Sequence, residues 1–127
     1  MTKKIILFHI NTKINNKRAW KKTKPKNKLV CVYEGETANH LPHGKGIYTK
    51  TDGSTYVGIF KKGLRHGHGT FTWSKNAPDG AGKYVGEYKN NKRWEGSIYD
   101  KLGKIVYSYL EGEIQNSSSH KDSLKIN

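Results

Sequence analysis

The amino-acid sequence predicts an all-β repeat protein made of consecutive β-hairpins, rather than a fold around one thick core. Three segments open with the same phrase, Tyr-x-Gly, at Tyr33, Tyr56 and Tyr84, and an aromatic residue recurs fifteen positions after each of those tyrosines. Apolar and polar residues alternate from about residue 30 to about residue 114, which is the period of a half-buried strand. With 127 residues and 33% hydrophobic content, the chain has room for one domain whose packing depends on aromatic rings.

The first element is a basic segment, residues 1–29, which we predict to be a flexible arm. It mixes Lys, Asn and Thr with isolated apolar residues and shows neither strand nor helix periodicity. Residues 1–30 hold ten basic residues and no acidic one, out of a net charge of +14 for the chain. The apolar run Ile5-Ile6-Leu7-Phe8 is too short for a secretory signal peptide or a membrane span. An organellar presequence is the alternative interpretation, because such segments also lack acidic residues.

The second element is the repeat body, residues 30–115, in which each unit contains a strand and a return strand. The units lie near 33–53, 56–80 and 84–103, and a closing strand is predicted over 105–114. The closely spaced glycines at 44–46 and 63–69 are predicted to form the connections within units, because glycine allows positive φ in a tight turn. Residues 116–127 are predicted to be a flexible tail.

Size complementarity predicts how the strands of each hairpin pair. A glycine inside a strand weakens it, so its recurrence needs a packing reason. A ring that lies across from a strand glycine covers it and supplies that reason. The corresponding register pairs Gly35 with Tyr48, Gly58 with Phe71 and Gly86 with Tyr99.

The segment from Tyr56 to Phe71 resembles the MORN (membrane occupation and recognition nexus) repeat. It reads Tyr-x-Gly-x-aromatic, followed by Gly-Leu-Arg-x-Gly-x-Gly and a further aromatic residue. Unit one matches except at Thr37, and unit three departs at Asn91, Trp94, Glu95 and Ser97. The resemblance implies a single elongated, twisted antiparallel sheet. It also implies a docking or scaffolding function, with any chemistry in a separate domain.

No catalytic, cofactor or metal site is predicted, and we expect that the chain is not an enzyme. His66 and His68, with His43 one unit earlier, raise a zinc hypothesis. However, His43 and His66 share one repeat position before a glycine, and the only cysteine, Cys31, lies elsewhere. The Gly-x-Gly pairs lack the spacing of phosphate-binding loops. Most acidic residues occupy strand positions facing away from the aromatics, which favours a solvated face over a catalytic carboxylate pair.

Two sets of residues are candidates for contact with a partner. A single-layer sheet leaves apolar area uncovered, and such area marks interaction or self-association surfaces. The candidate partner-binding aromatic face consists of Tyr33, Tyr56, Phe60, Phe71, Trp73, Tyr88 and Tyr99. The alternative for each ring is that it packs the sheet against itself. The candidate contacts to an acidic surface are Lys17, Arg18, Lys21, Lys22, Lys24, Lys26 and Lys28.

The expected function is therefore a non-catalytic binding or scaffold module with a protein partner. The basic arm adds an acidic phospholipid surface as a second partner. Nucleic acid is the competing ligand of the arm, because counterion release attracts the same charge. An accessory fragment of an enzyme is a further alternative, and edge strands offer a route to self-association. Because Cys31 has no partner for an internal disulfide, we expect a reduced, cytoplasmic setting, peripheral at a membrane if the arm binds lipid.

Overall fold

The computed structural model of the protein describes residues 5–9, 20–23, 30–74, 77 and 80–116. It contains one nine-stranded antiparallel sheet whose strands follow one another in chain order. The strands are β1 (Ile5–His9), β2 (Cys31–Ala38), β3 (Leu41–Thr49), β4 (Thr55–Lys61), β5 (Leu64–Thr72), β6 (Ala81–Lys89), β7 (Lys92–Asp100), β8 (Ile105–Leu110) and β9 (Glu113–Asn116). The prediction of an all-β meander of consecutive hairpins is confirmed. Among these residues there is no helix with the length and apolarity needed to cross a membrane.

The tips of the hairpins are two-residue turns in which both residues have positive φ. The turns are Asn39-His40, Lys62-Gly63, Asn90-Asn91 and Glu111-Gly112. This is the backbone of a type I′ turn, whose twist matches the twist of the two strands that it joins. Asparagine and glycine recur in these turns because they adopt positive φ at low cost.

The turns between hairpins use aspartate and glycine. Asp52 Oδ1 accepts a hydrogen bond from the Ser54 N–H at 2.8 Å, and Asp100 Oδ1 accepts two backbone bonds at 2.9 Å. The hydrogen bonds from Ser54 lower the pKa of Asp52 below its ordinary value. Gly53 then supplies the positive φ, at 94°. This Asp-Gly turn is as predicted, whereas Asp79 of the second Asp-Gly pair lies outside the described residues.

A continuous row of glycines crosses the sheet from β2 to β7. The glycines that face one another across successive strands are Gly35, Gly46, Gly58, Gly69, Gly86 and Gly96. The predicted register is therefore wrong by two residues in units one and two, where Gly58 faces Gly69 while Tyr56 faces Phe71, and by three residues in unit three, where Gly86 faces Gly96 rather than Tyr99. A β-carbon on Gly58 would lie 2.5 Å from the α-carbon of Gly69, so the two strands leave no room for a side chain there.

The rings do cover glycines, but along a diagonal rather than straight across. A β-carbon on Gly69 would collide with the ring of Tyr56, which leans along its strand over the glycine row. The Tyr56 hydroxyl reaches past the glycine and donates a hydrogen bond to the Ile59 carbonyl at 2.9 Å. Tyr33 and Tyr84 make the same bond to the carbonyl three residues later, at 2.5 and 2.7 Å.

The core is a single stack of aromatic rings on one face of the sheet, which we call the inner face. Neighbouring ring centroids are 4.9 to 6.0 Å apart, and the planes meet edge to face. In spatial order the stack is Trp20, Tyr33, Phe60, Tyr56, Tyr88, Tyr84 and Tyr109. Each such pair contributes about 0.5 to 1.5 kcal/mol beyond the burial of its area. Rings from both sides of the glycine row meet above it, so a single-layer sheet buries its own core.

Three boundaries of the predicted elements are corrected. The glycines at 44–46 lie within β3, and Gly67 and Gly69 lie within β5, because each tip uses only two residues. The closing strand predicted over 105–114 is two strands, β8 and β9, joined by a tip turn. Residue 116 ends β9, and residues 117–127 of the predicted tail lie outside the described part of the chain.

Part of the predicted flexible arm belongs to the sheet. β1 pairs with β2, and Leu7 lies buried opposite Tyr33. The Trp20 ring packs edge-on against the ring of Tyr33, with centroids 6.0 Å apart. Together they cover the first end of the ring stack, which would otherwise be exposed. The prediction is therefore wrong for residues 5–9 and 20–23, and the remainder of the arm lies outside the described residues.

Candidate binding surfaces

Most of the predicted aromatic face is buried. The five rings that are at most 5% exposed are Tyr33, Tyr56, Phe60, Phe71 and Tyr88. The premise of an exposed aromatic face is wrong for them, because they form or adjoin the ring stack. The alternative from the sequence, that the rings pack the sheet against itself, describes their positions.

The other two members of that set differ from the buried five. Trp73 is half-buried and packs edge-on against Phe71, with centroids 5.0 Å apart. Tyr99 is also half-buried, but it follows the core residue Ile98 and lies beneath the Lys83 ammonium, 5.9 Å from the ring centroid. Successive strand residues point to opposite faces, so Tyr99 faces away from the stack. Contact of either ring with a partner stays a prediction.

Burial makes the stacked tyrosines weaker acids. It raises the pKa of Tyr33 and of Tyr84 to about 12. Burial also raises the pKa of Tyr56 and Tyr88, although nearby arginine charge acts in the opposite direction at both. At neutral pH these hydroxyls are therefore protonated, and those of Tyr33, Tyr56 and Tyr84 act as hydrogen-bond donors rather than as bases.

Two arginines that were not among the predicted site residues lie on the inner face near the hairpin tips. The Arg65 Cζ lies 5.0 Å from the ring centroid of Tyr88 and 5.9 and 6.0 Å from two further rings. The Arg93 Cζ lies 5.0 Å from the ring centroid of Tyr109. Both arginines occur nine positions after an opening tyrosine, so the repeat pattern carried the signal that could have found them.

Asn91 holds Arg65 in place from the next hairpin. Its Oδ1 accepts hydrogen bonds from the Arg65 backbone N–H at 2.8 Å and from Nε–H at 3.2 Å. Its carbonyl oxygen accepts a bond from Arg65 Nη2 at 3.2 Å, and its own N–H donates to the Arg65 carbonyl at 2.8 Å. The Gly63 N–H donates to the Pro42 carbonyl at 2.8 Å in the preceding pair of hairpins. Each tip is thus bonded to the hairpin before it.

The histidines of the zinc hypothesis join neighbouring tips. His43 Nδ1 accepts a hydrogen bond from the Lys62 N–H at 3.2 Å, and His66 Nδ1 accepts one from the Asn90 N–H at 3.3 Å. The shared repeat position of the two histidines therefore has a structural use. His68 lies elsewhere, 3.3 Å from a glutamate oxygen. Among the described residues, no group of three or more side chains could hold a metal ion.

The opposite face of the sheet, which we call the outer face, carries an exposed apolar row. Ile6, Ile47 and Val57 are 49%, 45% and 51% exposed. The register aligns them across the strands in the order Ile6, Glu34, Ile47, Val57, Thr70 and Val85. Most of these residues are β-branched, which suits a strand, but their apolar area faces solvent.

An open groove of about 500 Å³ runs beside this row. Its floor is the backbone of the glycine row, where side chains are absent on both faces. Its walls are formed by Glu34, Ile47, Val57 and Thr70 on one side and by Lys45, Ile59 and His68 on the other. The side chains that the glycines lack would project to the inner face, so the glycines make room for the rings there, while the outer groove lies between the two rows of side chains that flank them.

The two rows of side chains that flank the glycine row carry more acidic than basic residues, while the groove itself is lined by one glutamate and one lysine. Three exposed glutamates lie in the two rows that flank the glycines, namely Glu34, Glu87 and Glu95. Lys45 is the lysine among the groove residues. This polarity is opposite to the net charge of +14 of the whole chain. A ligand for this face would therefore be neutral or basic.

The residues predicted to contact an acidic surface are described only in part. Lys21 and Lys22 are exposed. Five others lie outside the described residues, and they are Lys17, Arg18, Lys24, Lys26 and Lys28.

Comparison with known proteins identifies the repeats. The family model described as MORN repeat matches residues 33–55, 56–77 and 84–94. Alsin of Homo sapiens is 34% identical over 84 residues, which cover 66% of this chain and 5% of Alsin, and Alsin of Mus musculus is 33% identical over the same length and coverage. The human protein named ALS2 C-terminal-like protein is 51% identical over 39 residues, which cover 31% of this chain and 4% of that protein. The match thus spans about one-twentieth of the length of the Alsin relatives.

Proposed function

Because this chain is a MORN-repeat protein, we propose that it is a non-catalytic binding module whose outer face recruits a protein partner. The observation that carries the proposal is the apolar row of Ile6, Ile47 and Val57, about half exposed beside a glycine-floored groove. Ile47 and Val57 are direct neighbours across β3 and β4, whereas Glu34 lies between Ile6 and Ile47. Adjacent exposed apolar residues beside a groove favour an interaction surface, whereas single exposed apolar residues need no explanation. MORN repeats present such a surface without adding catalytic groups to it.

The ligand that fits this groove is an extended segment of the partner that alternates apolar and basic residues. A strand-like segment places every second side chain on the same side, so its apolar residues can cover Ile47 and Val57. Its basic residues then face Glu34 and the other exposed glutamates of the outer face. The narrow groove suits one extended segment better than a folded domain.

The test uses a fluorescent peptide that alternates valine and lysine, with its binding followed by fluorescence anisotropy. The variant Ile47→Thr, Val57→Thr removes two apolar walls while it keeps β-branched side chains in both strands. We expect it to bind the peptide about 30-fold more weakly, since each of the two replacements removes about 1 kcal/mol of apolar contact. The matched control is Leu102→Thr, because Leu102 is 94% exposed but lies in a turn away from the groove.

If the wild type and the double variant bound the peptide equally and had the same circular dichroism spectrum, the proposal that the peptide binds in the groove would be wrong. A scrambled peptide that clusters its lysines separates this mode from simple charge attraction. If the scrambled peptide binds as tightly as the alternating one, strand-like recognition is wrong.

A second candidate function is peripheral association with acidic phospholipid through the basic arm. The exposed Lys21 and Lys22 and the excess of basic over acidic residues before residue 30 favour it. Each basic residue near an anionic membrane contributes about 1 kcal/mol. Sedimentation with phosphatidylserine vesicles, compared for the full chain and the full-length variant Lys21→Gln, Lys22→Gln, tests it. Retention of DNA instead of vesicles by the full chain would assign the arm to nucleic acid.

A further inference from the structure

The inner face has a cationic pocket at the tips of its last hairpins, separate from the groove on the outer face. The pocket has a volume of about 410 Å³ and is lined by Arg65, Tyr88, Asn91, Lys92, Arg93 and Tyr109. Three of these residues carry positive charge, and no carboxylate is among the residues that line the pocket. It is therefore a local concentration of positive charge on a face whose other residues are mostly aromatic.

The two guanidinium groups are held in fixed places. Each lies over a tyrosine ring, with a Cζ to centroid distance of 5.0 Å for both Arg65 over Tyr88 and Arg93 over Tyr109. Asn91 orients Arg65 further through the hydrogen bonds to Nε and Nη2, both 3.2 Å long. An arginine that is fixed before binding loses little side-chain entropy when it binds an anion.

The two positive charges also act on one place. Burial raises the pKa of Tyr88, while Arg65 and Arg93 each lower it, so both charges act on the same hydroxyl. Both arginines line the same pocket, so an oxyanion that enters it would experience both guanidinium groups at once. Guanidinium groups bind carboxylates through paired N–H···O bonds, which match the planar geometry of a carboxylate.

We propose that this pocket binds a carboxylate side chain of an acidic protein segment. A protein segment fits better than a membrane because Arg65 and Arg93 are only partly exposed and lie against rings. A flat bilayer surface reaches protruding groups, whereas a single extended side chain reaches into a recess. The proposal does not depend on the outer groove, since its ligand is acidic and its residues lie on the other face.

The test titrates the full chain with a fluorescent hexaglutamate peptide at about 0.15 M salt, where the attraction between exposed charges is largely screened. We expect Arg93→Gln to weaken binding at least about tenfold. Arg93→Lys should weaken it by an intermediate factor, because lysine keeps the positive charge but lacks the paired N–H donors of a guanidinium group. Lys104→Gln removes the same charge from a turn between hairpins, away from the tips, and should change the affinity less than about twofold. A hexaserine peptide should not bind.

Nuclear magnetic resonance gives a second measurement that needs no variant. The Nε–H signals of Arg65 and Arg93 should both shift on addition of hexaglutamate, and much less on addition of hexaserine. This measurement keeps the proposal testable if substitution of Arg93 prevents folding.

Three results would overturn the proposal. Loss of hexaglutamate binding in Lys21→Gln, Lys22→Gln but not in Arg93→Gln would assign the binding to the basic arm. Binding of phosphatidylserine vesicles that falls with Arg93→Gln, without binding of hexaglutamate, would make the ligand a membrane. Shifts of the two arginine signals with inorganic phosphate alone, and none with the peptide, would mean a small-anion site.

Discussion

The ring of Tyr56 occupies the space that a side chain at Gly69 would need. The two residues belong to adjacent strands of one hairpin, and Tyr56 is bonded to the Ile59 carbonyl by its hydroxyl at 2.9 Å. The ring is therefore fixed from below by the glycine and at its end by the hydrogen bond. It is also fixed from above by Phe60 and Tyr88, whose centroids are each 5.1 Å away.

Substitution of Gly69 by alanine should destabilise the protein strongly. The new methyl group collides with a ring that has no free direction to move, and overpacking of this kind costs about 1 to 3 kcal/mol. We expect a value near the upper end, measured as the free energy of unfolding in guanidinium chloride. Gly103→Asn is the control, because no atom lies within 4 Å of its new β-carbon and asparagine tolerates the local φ of 88°. An equal loss in both variants would contradict the packing explanation.

Stability should fall in alkaline solution as buried tyrosines ionise. Unfolded tyrosine has a pKa of about 10, whereas burial raises the pKa of Tyr33 and Tyr84 to about 12. Below pH 10 the tyrosines are neutral in both states and stability does not depend on them. Between about pH 10 and 12 the unfolded chain loses protons that the folded chain keeps, so the free energy of unfolding decreases.

Urea titrations at several pH values, with tyrosinate absorbance recorded in parallel, measure this effect. The fall between pH 10 and 12 should be shallower in Tyr33→Phe, which has one such hydroxyl fewer. A tyrosinate signal that rises fully near pH 10 in the folded chain would show that these hydroxyls are not protected.

Asn91 should stabilise the folded protein both through its backbone conformation and through its side chain. Asn91→Gly keeps the positive φ of 73° but removes the acceptor for Arg65, so it should cost about 1 kcal/mol. Asn91→Ala removes the acceptor and also strains the backbone, so it should cost about 2 kcal/mol. Asn90→Gly, at the other position of the same turn, is the control and should change the free energy of unfolding little. If the alanine and glycine variants lowered the free energy of unfolding equally, the backbone conformation of Asn91 would not contribute to stability.

The thiol of Cys31 should report whether β1 is attached to the sheet. Cys31 is fully buried in the same cluster as Leu7, which is 1% exposed. Leu7→Ala removes about 2 to 3 kcal/mol of packing, which should raise the rate of Cys31 labelling by a thiol reagent roughly 30-fold or more. Ile6→Ala is the matched control, since the side chain of Ile6 faces solvent. If the two variants label at the same rate, β1 does not protect the cysteine.

The sequence allowed the hairpins to be predicted because each unit carries its own strand pattern and turn residues. The turn at Asp52 and the strand from Tyr56 to Phe60 follow from local chemistry that does not depend on the rest of the chain. The register within the hairpin does not follow from it, since size complementarity alone predicts rings straight across from glycines. The Tyr56 side chain leans along its strand instead, so its ring reaches a glycine on the diagonal.

Other features of the fold could not be predicted from a local sequence pattern. Leu7 and Trp20 join the ring stack without belonging to a repeat, so no periodicity indicated their burial. Arg65 and Arg93 did belong to the repeat, but in the sequence they read as connection residues. Their place over the rings follows from the two-residue tips, which move the arginines from loops into strands.

The glycine row also keeps the strands aligned with one another. If one strand slipped by one residue, it would place a side chain opposite a glycine in both neighbouring strands. The steric cost would then arise on both sides of the slipped strand. Unit three illustrates this control, because its return strand reaches Gly96 one residue earlier than the other units reach theirs. All three units have a register irregularity between the glycine row and the tip, and the irregularity in unit three holds one return-strand residue fewer than in units one and two, so that Gly86 still faces Gly96. A difference in the length of one return strand therefore changes the pairing only within its own hairpin and leaves the register of the other strands unchanged.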